Sequence, residues 1–284
     1  MTNSKLSPKT QKLRHYLPQE LVVSQDRRRK PSLVLIGAGG TGSQILSGLA
    51  RMYMALTALG HPGFDLHLID DDTVSKANVG RQLFSPVDIG RFKSEVLITR
   101  ANNFFGLDWS SCPTKLTQKT ACDVNCDIAI SAVDNASTRL LIPKHINCQY
   151  YLDTGNDRTT GQVILGTVRK LCSQPKISNT IEKLPHAVDL YPDMAKQETK
   201  TYQGPSCSLE QALNEQDLFV NQLIATCALQ LLWQGFRHGF LEHHGAFINL
   251  KTLTVRPMPI DPAMWGRMGF REEGTDESKK KKAA

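Results

Sequence analysis

The sequence has no run of 18 apolar residues free of polar interruption, so a membrane-spanning helix is not expected. The nearest approach, Leu218 to Trp233, is broken by Asn221, Gln222, Thr226 and Gln230 and reads as a buried amphipathic helix. An apolar h-region near the N-terminus is also missing, which argues against export and for the cytoplasm. Seven cysteines form neither a dense framework nor a single C-x-x-C pair, which fits a reducing compartment better than a disulfide scaffold. The C-x-x-x-C at Cys122 and Cys126 lacks a second pair, so no zinc site is expected. Excess charge is nearly absent from the body of the chain. Eight lysines and arginines stand against two acids in residues 1–30, so that segment carries +6 of the total +7. A solvated basic arm is the plain reading, and an arm reaching an acidic partner, a phosphate site or nucleic acid is the alternative. No basic patch is interleaved with aromatics, so sequence-specific nucleic-acid binding is not expected.

What is present is an alternation of short apolar runs and helical stretches. Pro31 closes the arm, and Leu33-Val34-Leu35-Ile36 suits a strand buried on both faces of a parallel sheet. A glycine-rich turn over residues 37–42 opens a helix expected through Leu59. A second strand is expected over Phe64–Ile69, a helix over Lys93–Phe104, a buried strand over Asp127–Val133 and a helix over Ala136–His145. Tyr150–Thr154 and Gln162–Val168 read as further strands, a helix of about 20 residues starts near Asp217, and Phe247–Val255 holds one or two terminal strands. The pattern predicts an α/β fold with a Rossmann-like, doubly wound, mostly parallel sheet, then a C-terminal crossover, helix and terminal strands. Residues 170–205, polar and carrying Pro175, Pro185, Pro192 and Pro205, read as a crossover or insertion loop. The expected organisation is a basic arm over 1–30, one domain over 31–260 and a flexible tail over 261–284.

Gly37-Ala38-Gly39-Gly40-Thr41-Gly42 fits G-x-G-x-x-G and stands between a strand and a helix. Gly37, Gly39, Gly40 and Gly42 would permit a tight turn and close backbone approach to phosphate, with free N–H groups at the helix start. The motif does not choose between ATP and NAD, and a packing turn is the plain alternative. Asp70-Asp71-Asp72 closes the second strand, and continued alternation would put Asp70 and Asp72 on one face. Two carboxylates about 6 Å apart repel by about 3 kcal/mol at an effective dielectric of about 20, a cost that a cation or ligand hydroxyl offsets. An acid in this place commonly binds ribose hydroxyls, and a solvated acidic turn is the alternative.

The stretch Asp72-Thr73-Val74-Ser75-Lys76-Ala77-Asn78-Val79-Gly80-Arg81-Gln82 resembles the D-x-V-x-x-x-N-x-x-R-Q signature of ubiquitin-like-protein activating enzymes. Gly90-Arg91-Phe92-Lys93 resembles their G-x-x-K, and Val133-Asp134-Asn135 their D-N after a strand. With the glycine turn, four blocks in order over residues 33–169 resemble the ThiF/MoeB/HesA family. The resemblance implies an ATP-dependent adenylyltransferase that activates the C-terminal carboxylate of a small ubiquitin-like, β-grasp protein. It also implies roles. The glycine turn and Asp70 would hold adenosine and ribose, and Asp72 and Gln82 fall in the same nucleotide-binding set. Asn78, Arg81 and Lys93 would contact phosphates, and Asp134 would coordinate Mg²⁺. Taken singly, Arg81 and Lys93 read as surface charges and Asp134 as the cap of the following helix.

Many members of the family carry paired C-x-x-C motifs for zinc, and this sequence departs from them there. Pro205-Ser206-Cys207-Ser208 and Asp217-Leu218-Phe219-Val220-Asn221-Gln222 resemble most closely the ThiF-family proteins of bacterial PRTRC gene clusters. Relatives act as dimers, and in some an N-terminal arginine reaches the neighbouring site; a homodimer is expected, with Arg14 as the candidate arginine. Ser208-Leu209-Glu210-Gln211 matches a capping box, which would set Cys207 at a helix N-terminus where thiolate is favoured. That makes Cys207 the candidate thioester acceptor, against the plain reading of a small inert hydrophobe. Two other functions fit parts of the pattern: an NAD-dependent oxidoreductase sharing the glycine turn, and a non-catalytic scaffold that binds a ubiquitin-like partner.

Overall fold

The computed structural model of the protein describes residues 12–22, 29–169, 171, 175, 177–194, 210 and 216–270. In chain order these residues form β1 (His15–Tyr16), β2 (Ser32–Ile36), α1 (Gly40–Ala58), β3 (Asp65–Ile69) and α2 (Lys93–Phe105). Next come β4 (Ser110–Cys112), α3 (Gln118–Cys122), β5 (Ile128–Ser131), α4 (Ala136–His145), β6 (Tyr150–Asn156) and β7 (Thr160–Thr167). α5 (Ala187–Leu190), α6 (Val220–His238), β8 (Phe240–Leu241), β9 (His243–Asn249), β10 (Thr254–Pro259) and α7 (Pro262–Arg267) complete the set.

Eight strands build one sheet in the order β10-β9-β7-β6-β5-β2-β3-β4. The pairings from β4 to β6 are parallel, and those from β6 through β7 and β9 to β10 are antiparallel. The apolar run of β2 explains its central place. Leu33 and Leu35 enter one core cluster and Val34 and Ile36 another, so both faces of the strand are buried. The first cluster takes Ile45 and Leu49 of α1, Val96 of α2 and Ile224 and Ala228 of α6. The second takes Ala121 of α3 and Ile142 of α4. Helices therefore cover both faces, as in doubly wound α/β folds, and the strand order reverses where β2 lies between β3 and β5.

The expected core strands and helices form close to the predicted bounds, including α4 over Ala136–His145. Three features differ. β4 has only three residues, two of them serine, and joins the sheet edge without an apolar signal. β3 ends at Ile69, so the alternation that would put Asp70 and Asp72 on one face stops before them. Residues 12–16, Arg29 and Pro262–Arg267, on either side of the sheet-forming segment, are docked further in than expected. β1 pairs with β8, and Arg29 reaches the buried Asp127 at 2.5 Å, so the basic segment is tied to the body at two places. At the other end α7 buries Trp265, whose indole N–H donates to His244 Nε2 at 2.8 Å; the tail expected from residue 261 is thus helical over Pro262–Arg267.

Both docked ends rest on buried histidines. His15 Nδ1 bonds the Ile181 carbonyl oxygen and Nε2 the Tyr150 hydroxyl, each at 2.8 Å. His244 Nδ1 meets the Leu165 carbonyl oxygen at 2.9 Å. Burial lowers both imidazoles to about 4 from an ordinary 6.5, against the opposing pull of those carbonyl bonds. The neutral rings belong to the folded state, so the unfolded chain takes up protons first as pH falls. Each histidine therefore withdraws stability progressively between pH 6.5 and 4, by up to about 3 kcal/mol. His244→Gln should lower the urea midpoint at pH 7.5 yet flatten its decline between pH 6.5 and 4. Parallel pH profiles for the variant and wild type would contradict the assignment.

Candidate active site

The turn after β2 leaves no room for a side chain at three of its four glycines. Gly37 has φ +98°, and a Cβ there would lie 2.6 Å from the Ala132 carbonyl oxygen at the end of β5. A Cβ on Gly42 would collide with the Gly37 carbonyl, and one on Gly40 would lie 2.5 Å from Asn221 Nδ2. Gly39 differs: nothing lies within 4 Å of where its Cβ would be, so its surface is open. Gly39 is also the N-cap of α1, with no side-chain cap, so the first N–H groups of the helix keep their anion-binding capacity.

Asp70 stands under this turn. Its Oδ2 accepts from the Ala38 N–H at 2.7 Å and its Oδ1 from the Asp72 N–H at 3.0 Å. Burial raises its pKa to about 6, with the Ala38 bond and the nearby Lys93 ammonium pulling the other way and Asp72 adding to the rise. Lys93, at the start of α2, is buried, and its Nζ donates to Asp72 Oδ2 at 2.7 Å. The ammonium supplies the cation that the adjoining acids need.

The next loop folds on itself. Asn78 closes a capping box in which its Oδ1 accepts from the Ser75 N–H at 2.8 Å. Gln82 is buried, and its Oε1 has no hydrogen-bond partner among the described residues. Arg81 Nη1 donates to Gln216 Oε1 at 2.9 Å. Gln216 Oε1 also accepts from Asn221 Nδ2 at 2.7 Å, and Asn221 Oδ1 accepts from Thr41 Oγ1 at 2.8 Å. A chain of polar contacts thus runs from Arg81 to the second residue of α1.

Asp134 follows β5 on the same edge of the sheet, one residue beyond Val133, which packs against Gly37. It is exposed and has no hydrogen bond or ion pair among the described residues. The helix cap is Asn135, whose Oδ1 accepts from the Thr138 N–H at 2.8 Å, so capping is not the role of Asp134. The glycine turn, Asp70 and Asp134 follow β2, β3 and β5 at one edge of the sheet, Lys93 reaches Asp72 there, and Arg81 is linked to the turn through Gln216, Asn221 and Thr41. Two sequence candidates do not join them. Cys207 lies outside the described residues, and Arg14 is held within its own chain by Glu242 at 2.8 Å and by the Phe240 ring.

Sequence reasoning missed the polar links. Asn156 and Gln216 belong to no quoted stretch, Thr41 and Asn221 stand in quoted stretches without an assigned role, and only the fold shows that the four meet. Asn156 Nδ2 donates to Asn221 Oδ1 at 2.9 Å and also lines a cavity of about 680 Å³ over the antiparallel strands. Arg139, Gln162, Tyr191, Asn249 and Arg256 share that lining. Arg139 is fixed behind it by a bidentate pair with the fully buried Asp153, which also accepts from the Tyr151 hydroxyl at 2.8 Å. Among the described residues no three His, Cys, Asp or Glu side chains are grouped to hold a metal, and no helix is long and apolar enough to cross a membrane.

The Asp70 environment makes a pH-dependent forecast. Its folded pKa lies above the unfolded value of 3.8, so its charge withdraws stability as pH rises from 3.8 to about 6. Asp70→Asn should therefore compare better with wild type at pH 7.5 than at pH 4.5 in melting temperature. An equal difference at both pH values would show that burial does not disfavour the charged form.

The chain is similar to several known proteins. Wheat (Triticum aestivum) ubiquitin-activating enzyme E1 1 is 27% identical over 193 residues, covering 65% of this chain and 16% of that protein. The sulfur carrier protein adenylyltransferase of Thermus thermophilus is 30% identical over 130 residues, 44% of this chain and 45% of that protein. The chain thus spans less than half the length of either relative. The E. coli MccB structure with ATP superposes with a TM-score of 0.53 at 16% identity, covering 87% of this chain and 75% of that one. MccB with selenomethionine MccA gives 0.54 at 16% identity, covering 84% and 66%. These two superpositions establish a shared fold. The ThiF family matches over residues 14–263, nearly the whole of the described structure, and the chain belongs to the ThiF family.

Proposed function

We propose that this protein is an ATP-dependent adenylyltransferase that activates the C-terminal carboxylate of a small β-grasp protein. The observation that supports the reading is an uncapped helix N-terminus with open space at Gly39, tied through Thr41, Asn221 and Gln216 to Arg81 and standing over Asp70, next to the Lys93–Asp72 pair. Bound Mg·ATP would offer the partner's carboxylate an α-phosphorus, with pyrophosphate leaving and an acyl-adenylate formed. The chain's own task is to position and to neutralise. The free N–H groups of the glycine turn suit phosphate oxygens, and Asp70 at the end of β3 suits a ribose. Arg81 and Lys93 would supply cationic donors for the outer phosphates, with Asn78 and Gln82 assigned to the same nucleotide-binding set.

Asp134 fits Mg²⁺ in kind: a hard carboxylate, exposed, free of other partners among the described residues, and single, as suits an ion bound mainly by water and phosphate. No side-chain nucleophile is needed for adenylation, because the attacking group is already a carboxylate. The adjoining cavity of about 680 Å³, lined by amides and arginines, suits an extended C-terminal tail. The reading extends to a homodimer and to a partner of the kind encoded in PRTRC gene clusters. Cys207 is the proposed acceptor if a thioester follows.

Three measurements test this reading. Mg·ATP should raise the melting temperature clearly, and NAD and NADP should not; stabilisation by NAD alone would sink the adenylation reading. Asp134→Ala should fold normally and lose pyrophosphate exchange by about 10²-fold or more, the usual cost of removing one transition-state contact. Near-normal exchange in the folded variant would remove Asp134 from the site. With a β-grasp partner and Mg·ATP, a thiol-sensitive adduct should form on wild type and not on Cys207→Ala; an adduct that persists in the variant places the acceptor elsewhere.

A further inference from the structure

Asn221 sits in the first turn of α6 with only 4% of its surface exposed, and its side chain joins four separate segments. Its Oδ1 accepts from Thr41 Oγ1 in α1 and from Asn156 Nδ2 at the end of β6. Its Nδ2 donates to Gln216 Oε1, which accepts in turn from Arg81 Nη1. The same Nδ2 packs so closely on Gly40 that a Cβ there would lie 2.5 Å away. A buried amide with three of its four hydrogen-bonding positions used is held in one orientation. That orientation dictates the neighbours: the carbonyl side must face two donors, and the amino side must face an acceptor. Gln216 is therefore forced to present its carbonyl oxygen to Arg81, which fixes one end of the guanidinium.

We propose that Asn221 is a positioning residue that sets the orientation of Arg81 through Gln216 and locks it to the glycine turn and to the cavity wall at Asn156. Asn221 touches no ligand itself. The proposal rests on the nucleotide reading above and specifies a part of it. Arg81 meets the outer phosphates, so loosening Arg81 should weaken a triphosphate and spare a monophosphate. The amide of Gln216 is the relay, and Thr41 and Asn156 are the fixed points.

The test measures affinities of the full-length protein for Mg·ATP and for AMP in wild type, Asn221→Ala, Gln216→Ala, the double variant and Arg81→Ala. Wild type should prefer ATP. Asn221→Ala, Gln216→Ala and Arg81→Ala should each reduce the ATP-to-AMP preference about tenfold, and the double variant should lose no more than one single variant. A role confined to packing would lower the melting temperature and both affinities together, leaving the ratio intact, and would overturn the proposal. Additive losses in the double variant would also overturn it, because the two amides would then act separately. Gln216 is only half-buried, so Gln216→Ala carries the test if Asn221→Ala fails to fold. A wild type that binds ATP no better than AMP defeats the nucleotide reading and this inference together. A wild type that prefers ATP while Gln216→Ala keeps the preference defeats this inference alone.

Discussion

Backbone passing against backbone at the end of β2 is the constraint on which the rest of the structure depends. Gly37 lies on the Ala132 carbonyl, Gly42 on the Gly37 carbonyl, and Gly40 on the amide of Asn221. A methyl group at any of the three would push apart β5, the start of α1 or the start of α6. Because no methyl is there, α1 starts directly above the sheet where the strand order reverses, and its N-terminus faces the crevice found at such reversals. The N-cap itself, Gly39, has open space around it but no side chain to cap with. The helix end is thus left with unspent hydrogen-bonding capacity because its N-cap is a glycine.

Charge is arranged around that turn at a cost to stability. Asp70 is held in a buried position that disfavours its ionised form, and two backbone N–H groups together with Lys93 only partly offset the penalty. Lys93 is itself buried, with Asp72 as its only ion-pair partner among the described residues. A site designed for stability alone would replace these groups by apolar ones. Their presence together beside an uncapped helix end is a cost to stability that packing alone does not explain.

Much of this was legible in the chain because the signals are local. The apolar run 33–36, the glycine spacing 37–42 and the Asp-Asn pair at 134–135 each act within a few residues, and the strands and helices around them form where the pattern places them. What was not legible depends on partners far apart in sequence. β4 is a strand because β3 offers it an edge, not because Ser110 and Ser111 prefer to be extended. Trp265 binds the segment after β10 to the body through His244, 21 residues earlier, and overrides a tail-like composition. The Arg14 side chain is paired by Glu242, 228 residues away, which no count of basic residues could anticipate. Asn221 reads as a polar interruption in an apolar helix until Thr41, Asn156 and Gln216 are seen around it.

β6 is the strand on which the two halves of the sheet meet. On one side it pairs in parallel with β5, whose end supports the glycine turn and Asp134. On the other it pairs antiparallel with β7, which with β9 and β10 forms the floor of the cavity. The proposed reaction between a nucleotide and a separate carboxylate would need both halves held in one geometry, since a misplacement of about 1 Å is expensive in rate. Strand pairing alone leaves the loops at the strand ends free to shift. α6 removes that freedom, because it packs along α1 and across β6, β7 and β9, and its first buried turn carries the amide that bonds to both halves. A helix that merely covered the sheet would need only its apolar face, Ile224, Ala228 and Leu232, for that purpose. Burying Asn221 within the same contact surface has a desolvation cost that only its full set of partners offsets. The arrangement therefore favours one relative position of the turn, Arg81 and the cavity over any looser packing of the same helix.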